Sequence, residues 1–458
     1  MEKIFKLIER EKIKGVDLKF CDLLGRWHHV TIPSELLTEE LFEKGVGFDS
    51  SNFPGFRGVE EGDMSLIPDP ETAFVDPFFG DKTLSLICYI ADSESKTPFR
   101  KDPRYIAKKA EDYLLNTGIA DKSVWGPEYE FYLFDNLEFS NSPMYTFFRI
   151  NSLEARVDGN PEISWSIKIK GGYHAIQPFD RYQGIREEIV RLLSEAGISI
   201  KYHHHEVGAP GQQEIEVGHQ GLLKSGDWGM MIKYFVRNVV KKHGKYVSFL
   251  PKPIYNEAGN GLHFHQYLVK EGKSLFYDPD GFMGLSETGL YYIGGILYHS
   301  HALSAFTNPS TNSYKRLVPG FEAPTRAFFD IANRTAAIRI PKHSSPFTMR
   351  IEYRPPDATC NIYLAMSAQL LAGLDGIINK IDPISLGLGP GKEETEYKFL
   401  PSSLPDAINS LKNDYKFLLQ GDVFSEDLIH FWIEYKEKEI AEIGKRPLPI
   451  EFEIYNDI

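Results

Sequence analysis

Four stretches of the chain alternate apolar and ionisable residues with a period of two. Successive strand residues point to opposite faces, so positions i and i+2 share a side. In GPEYEFYLF, Glu128 and Glu130 share one face, with Tyr129 and Phe131 on the other. In HHHEVGAPGQQEIE, His204 and Glu206 share a face, as do Glu214 and Glu216 beyond a turn; His203 and His205 point away from His204. In GLHFHQYL, His263 and His265 share a face, with Leu262 and Phe264 behind. In MRIEYRPPD, Arg350, Glu352 and Arg354 share a face, with Ile351 and Tyr353 behind. Each segment predicts a strand that is apolar on one side and ionisable on the other.

Elsewhere the pattern changes. Before residue 100, short β-rich runs (GVDLKFCD, HHVTIP, LSLICYIA) alternate with turns. After it, KDPRYIAKKAEDYLLNTG has helical spacing, with Asp102 as N-cap, Pro103 at the first helical position and Gly118 as the stop. YLAMSAQLLAGLDGIINKI is nearly continuous in apolar residues, but Gln369 and Asp375 interrupt it. It therefore reads as a buried core helix and not as a membrane span. Residues 382–404 read as a surface loop, and SEDLIHFWIEYKEKEIAEI as an amphipathic helix with acids in its first turn. The expected organisation is α+β, with a small β-rich domain over 1–101 and a larger one over 102–458.

Composition narrows the function classes. At 458 residues with 42% hydrophobic and 25% charged residues, the chain is an ordinary globular protein of more than one core. Its net charge of −13 argues against nucleic acid or an anionic membrane as partner. Three cysteines without a Cys-x-x-Cys motif point to a reducing compartment. The N-terminus, MEKIFKLIEREK, lacks the apolar core of a secretory signal, so a cytoplasmic location is expected.

The ionisable faces carry the candidate chemistry. Solvated strand faces usually carry Lys, Thr and Ser; here four strands offer Glu, His and Arg. Glu128, Glu130, Glu206, Glu214 and Glu352 are hard oxygen donors with no cysteine nearby in sequence. Such a set favours Mg²⁺ or Mn²⁺ over structural zinc. Unneutralised carboxylates would repel one another, and two or more divalent ions resolve this. Carboxylate-held Mg²⁺ usually serves phosphates, and Arg316, Arg334 and Arg339 supply further anion clamps. The residues point to metal-dependent phosphoryl transfer from ATP, without a P-loop.

Seven segments in order, FDSSNFPGF, GPEYEF, HHHEVGAPGQQE, GNGLHFH, NSYKRLVPGFEAP, NRTAAIRIP and RIEYRPPDATCNIYL, resemble the glutamine synthetase family in its bacterial and archaeal type I form. DLLGRWHHVTIP and PIEFEIYND extend the match over nearly the whole chain. The resemblance implies an N-terminal β-grasp domain and a catalytic domain shaped as an antiparallel half-barrel with helices. It implies ATP-dependent ligation of ammonia to L-glutamate through γ-glutamyl phosphate. It also implies a homo-oligomer, a dodecamer of two hexameric rings with active sites shared between subunits. One divalent ion would sit on Glu130, Glu206 and Glu214, a second on Glu128, His263 and Glu352. Arg316 and Arg354 would hold the glutamate carboxylates, with Gly259 offering backbone contacts. Arg334, Arg339, His265 and Tyr267 would meet phosphate and nucleotide. Asp49, from a neighbouring subunit, would bind ammonium and take its proton, and Glu322 would close the site.

The chain departs from the family pattern at several positions. Ala258 stands where an asparagine is usual, Ser50 and Asn52 alter the Asp49 segment, Tyr267 replaces a serine, and Phe347 falls where some members carry a lysine. Tyr397 lies in the loop where some members are adenylylated, but its surroundings match poorly. Two other readings stay open: ligation of glutamate to a larger amine such as a polyamine, and a non-catalytic regulatory or scaffold paralogue.

Overall fold

The computed structural model describes residues 1–157, 159–342 and 345–455. The N-terminal part holds α1 (Glu2–Glu11), β1 (Gly15–Cys21), β2 (Trp27–Pro33), α2 (Leu41–Lys44), β3 (Val46–Asp49), β4 (Asp63–Pro68), β5 (Phe74–Asp76) and β6 (Thr83–Asp92). Its sheet runs β2-β1-β6-β4-β3, with β5 beside β6 and the central β1–β6 pair parallel. Its apolar positions (Val16, Leu18, Leu66, Leu86 and Ile90 among them) form a core of their own, as a β-grasp domain requires.

Next comes α3 (Pro103–Thr117), capped as its sequence predicts. The Asp102 carboxylate accepts from the Arg104 N–H, and Gly118 turns left-handed at the stop. The remaining strands are β7 (Lys122–Phe134), β8 (Asn136–Ser142), β9 (Tyr145–Asn151), β10 (Ile200–His205), β11 (Gln212–Val217), β12 (Tyr246–Ser248), β13 (Leu262–Lys270), β14 (Lys273–Ser274), β15 (Arg326–Ile331), β16 (Ala336–Ile340) and β17 (Ile351–Tyr353). The helices are α4 (Gln183–Glu195), α5 (Leu222–Lys242), α6 (Glu287–Tyr298), α7 (Ser300–Thr307), α8 (Ser313–Arg316), α9 (Ile362–Ile378), α10 (Leu404–Asn413), α11 (Glu426–Gly444) and α12 (Pro449–Tyr455).

The large sheet is ordered β10-β11-β7-β13-β17-β16-β15 and curls into a half-barrel. Its pairs along this path are antiparallel except β15–β16. Tyr129, Phe131, Leu262, Phe264, Ile351 and Tyr353 bury on the helix side with α5 and α9. α9 is the expected apolar helix, buried almost throughout. Among the described residues no helix is long and apolar enough to cross a membrane. The 382–404 stretch is mostly loop with one short 3-10 turn, yet it buries Tyr397 and Leu400. The chain adds α12 beyond the expected last helix; Ile450, Phe452 and Ile454 on it are exposed.

Cys21, Cys88 and Cys360 are all buried and unbonded to one another. Asn361 caps α9 and donates to the carbonyls of Asp22 and Leu23, tying the two domains beside Cys21.

Candidate active site

Register brings the four ionisable faces together. Directly opposed residues of an antiparallel pair share a face. Glu130 on β7 lies opposite Glu214 on β11, and Glu214 opposite His204 on β10. Glu128 lies between Glu216 and His263. His265 lies opposite Glu352 on β17, and Glu352 opposite Arg339 on β16. A belt of carboxylates and imidazoles therefore crosses the inner face of the sheet and ends at an arginine.

A cavity of about 470 Å³ opens over this belt. Glu128, Glu130, Glu206, Glu214, His263, Glu352, Gly259, Arg316, Glu322, Arg334, Arg339 and Arg354 all line it. Three groups on the belt offer ligand atoms close enough to share one cation: Glu128, His263 and Glu352; His204, Glu206 and Glu214; and, behind the cavity, Glu128, Glu216 and His265. The first is an expected ligand set. The second holds His204 beside Glu206 and Glu214; Glu130 also lines the cavity, with one of its oxygens accepting from the Gly261 N–H at 2.6 Å. His203 and His205 turn away, to Arg186 and Glu154. The triple histidine thus gives the cavity one imidazole.

The electrostatics fit a cation. Burial and the neighbouring Glu130 and Glu214 push the Glu206 carboxyl well up. Burial, with Glu128 and Glu130, does the same to Glu214. Burial also opposes the charge on Glu128, but His265 and His263 hold its carboxyl well below the usual range. Their ring nitrogens lie 2.6 and 3.1 Å from its oxygens. A Glu216 oxygen is buried with no hydrogen-bond partner. Hard donors, mutual repulsion and an unsatisfied carboxylate oxygen suit Mg²⁺ or Mn²⁺ at this place.

The arginines are held in place from behind. Arg316 donates to the carbonyls of Pro355 and Arg354 at 2.8 and 3.2 Å. Arg354 donates to Glu352 at 2.5 Å and to the Arg334 carbonyl at 3.2 Å. Arg339 also bonds Glu352. Gly259 has room for no side chain: a Cβ there would meet the Pro251 carbonyl oxygen at 2.6 Å and Arg316 Cγ at 2.8 Å. Glu322 sits on an exposed loop with a φ of 56°, a strained conformation for a non-glycine residue.

Three expected residues lie apart. Asp49 is at the end of β3, on a separate acidic depression of the small domain, where Ser51 and Asn52 donate to its carboxylate. Hydrogen bonds from Ser51 keep that carboxyl low. His265 is buried against Glu128 and does not line the cavity, and Tyr267 packs edge-on against His219. Phe347 is exposed. Tyr397 stacks on Phe328 at 4.2 Å, and its hydroxyl donates to the Gly389 carbonyl, so it is not presented for modification.

The comparisons agree along the full length. The family model for the glutamine synthetase catalytic domain matches residues 100–455, and that for its β-grasp domain matches residues 12–93. The chain belongs to the glutamine synthetase family. It is 45% identical to the glutamine synthetase of Frankia alni, over 100% of this chain and 99% of the relative. It is 46% identical to that of Aquifex aeolicus, over 100% and 99%. The solved glutamine synthetase of Plasmodium falciparum superposes with a TM-score of 0.90 at 28% identity, over 99% of this chain and 98% of that one. Most of the candidate residues named from the sequence line this one cavity. Sequence reasoning gave no role to His204 as a donor, although that residue shares a strand face with Glu206, nor to Tyr173, which packs edge-on against His204.

Proposed function

We propose that the chain ligates ammonia to L-glutamate with ATP, giving L-glutamine, ADP and phosphate. The observation that carries this reading is one cavity in which metal-type carboxylates face four arginines, within a chain of this family. A free carboxylate is a poor acyl donor, because its leaving group is oxide. Transfer of the ATP γ-phosphoryl group to the γ-carboxylate gives γ-glutamyl phosphate. Ammonia then attacks the acyl carbon and phosphate leaves.

Glu130, Glu206 and Glu214 would hold one divalent ion, with His204 beside them, and Glu128, His263 and Glu352 would hold a second. When bound, Mg²⁺ or Mn²⁺ neutralises phosphate charge. Arg316 and Arg354 bind the glutamate carboxylates, and the Gly259 backbone bounds the amino-acid end. Arg334 and Arg339 stabilise the transferring phosphoryl group and nucleotide, with His265 and Tyr267 along the nucleotide. Asp49 binds ammonium and accepts its proton. Glu322 closes the cavity and excludes water, which would hydrolyse the acyl phosphate.

Asp49 does not line the cavity of its own chain, which supports a site completed by a neighbouring subunit. Exposed apolar residues on the β8–β9 hairpin (Phe139, Met144, Tyr145 and Phe148) and on α12 support a homo-oligomer; the dodecamer of two hexameric rings is what the family resemblance implies.

The test is ATP turnover by the purified protein with glutamate and a panel of acceptors. Ammonia should give a larger kcat/KM than putrescine or ethanolamine. A preference for putrescine would assign the larger-amine reaction, for which the small Ala258 side chain on the cavity wall leaves room. No turnover with any acceptor would assign the non-catalytic role.

A further inference from the structure

A second cavity, of about 420 Å³, lies where the small domain, α5 and α11 meet. Four cationic side chains line it: Arg26 from the turn after β1, Lys233 and Arg237 one helical turn apart on α5, and Lys436 on α11. Glu439 is its one acid. Lys233 and Lys436 are buried. Lys233 donates to the Ala358 carbonyl, and Lys436 pairs with Glu439 at 2.9 Å. Each ammonium has three donors, so both keep unused hydrogens. Arg26 and Arg237 stand at the mouth, and among the described residues neither guanidinium makes a hydrogen bond or an ion pair. The hydroxyls of Ser248, Ser310 and Thr359 also border the space. Like charges gathered with one counter-charge are costly unless an anion completes them. Burial lowers the affinity of Lys233, Arg237 and Lys436 for their protons, consistent with uncompensated charge.

We propose that this cavity binds a small organic or inorganic dianion, a dicarboxylate or a phosphate, and that its occupancy alters glutamate binding. The coupling follows from shared chain. Lys233 holds Ala358, four residues beyond Arg354. Thr359 and Ser310 hydrogen-bond each other, and Ser310 leads into α8, which carries Arg316. Arg316 in turn rests on the Pro355 and Pro356 carbonyls. An anion drawing on Lys233 and Thr359 thus moves the segments that place both substrate arginines. This coupling rests on the glutamate-binding role proposed above; the binding itself does not.

The experiment compares the full-length wild type with an Arg26→Gln/Arg237→Gln double variant. Both side chains reach solvent at the mouth and neither guanidinium makes a hydrogen bond or an ion pair among the described residues, so the variant should fold, and its midpoint without added anion checks this. Thermal midpoints are titrated with inorganic phosphate and with succinate, against KCl at matched ionic strength. In the wild type, one or both anions should raise the midpoint saturably. The double variant should bind about tenfold more weakly, the loss of roughly one charge-assisted contact. The same titration on Arg334→Gln should keep the wild-type response, which separates this cavity from the active site. If phosphate alone acts, the ligand is phosphate-like; if succinate alone, a dicarboxylate. Equal responses in wild type and double variant would overturn the site. Binding without any change in glutamate KM would overturn the coupling alone.

Discussion

At the residue scale, the belt across the sheet makes separable demands on single side chains. Glu214→Gln removes one charged oxygen where three carboxyls crowd. Activity at limiting Mg²⁺ or Mn²⁺ should fall by at least about tenfold and recover in part at high metal. Wild-type activity at limiting metal would refute the ligand assignment. Asp49→Ala should abolish ammonia-dependent turnover yet leave slow glutamate-dependent ATP hydrolysis, because activation of the carboxylate does not need the ammonium pocket; coupled ADP-release assays read this directly. Glu214 was a candidate from the sequence because strand alternation collects i and i+2 on one side, whereas Asp49 stood out only through the family resemblance. Alternation singled out His204 as the histidine on the Glu206 face, but not its nearness to Glu214, which the pairing of β10 with β11 supplies.

At the scale of elements, the curled sheet packs carboxylates more tightly than water would allow. Glu206 and Glu214 hold protons above the ordinary glutamate value of 4.5 because of burial and of neighbouring carboxylates, Glu130 and Glu214 for the first and Glu128 and Glu130 for the second. The folded, metal-free protein then binds more protons than the unfolded chain above that pH. Its stability should therefore fall as pH rises from about 4.5 through the raised values. A divalent ion displaces those protons, so metal affinity should increase as pH rises through the same window. Thermal midpoints measured with EDTA and with saturating Mg²⁺ across pH 5–8 check both signs, and the gap between the two curves should widen as pH rises. The order of these strands was not legible, because β7 pairs with partners from distant parts of the chain. Alternation predicts faces, but not neighbours. The parallel β15–β16 pair in an otherwise antiparallel path, and the added α12, likewise left no local signal.

At the scale of the whole molecule, Asp49 lies outside the cavity of its own chain, so the proposed reaction requires a neighbouring subunit to supply it. At limiting metal, where each variant alone has little ammonia-dependent activity, co-expressed Asp49→Ala and Glu214→Gln subunits should regain roughly a quarter of wild-type activity. Random pairing places an intact Asp49 beside an intact metal belt in that share of contacts. Absence of any recovery in verified mixed oligomers would show the site to lie within one chain. The two-part division was readable from the change in periodicity near residue 100, whereas the docking of the parts was not. The seam instead depends on particular contacts such as Asn361 with the carbonyls of Asp22 and Leu23.

The buried thiols turn that seam into something observable. Cys21 lies on the small-domain side and Cys360 directly precedes Asn361 on the other, while Cys88 belongs to the small domain's interior. Burial raises all three thiols well above their ordinary values, so the native protein should resist iodoacetamide. Alkylation then becomes a clock for transient opening. Peptide mapping that finds Cys21 and Cys360 modified before Cys88 would mean that the two domains part while each stays folded. Simultaneous labelling would mean that they melt as one cooperative body.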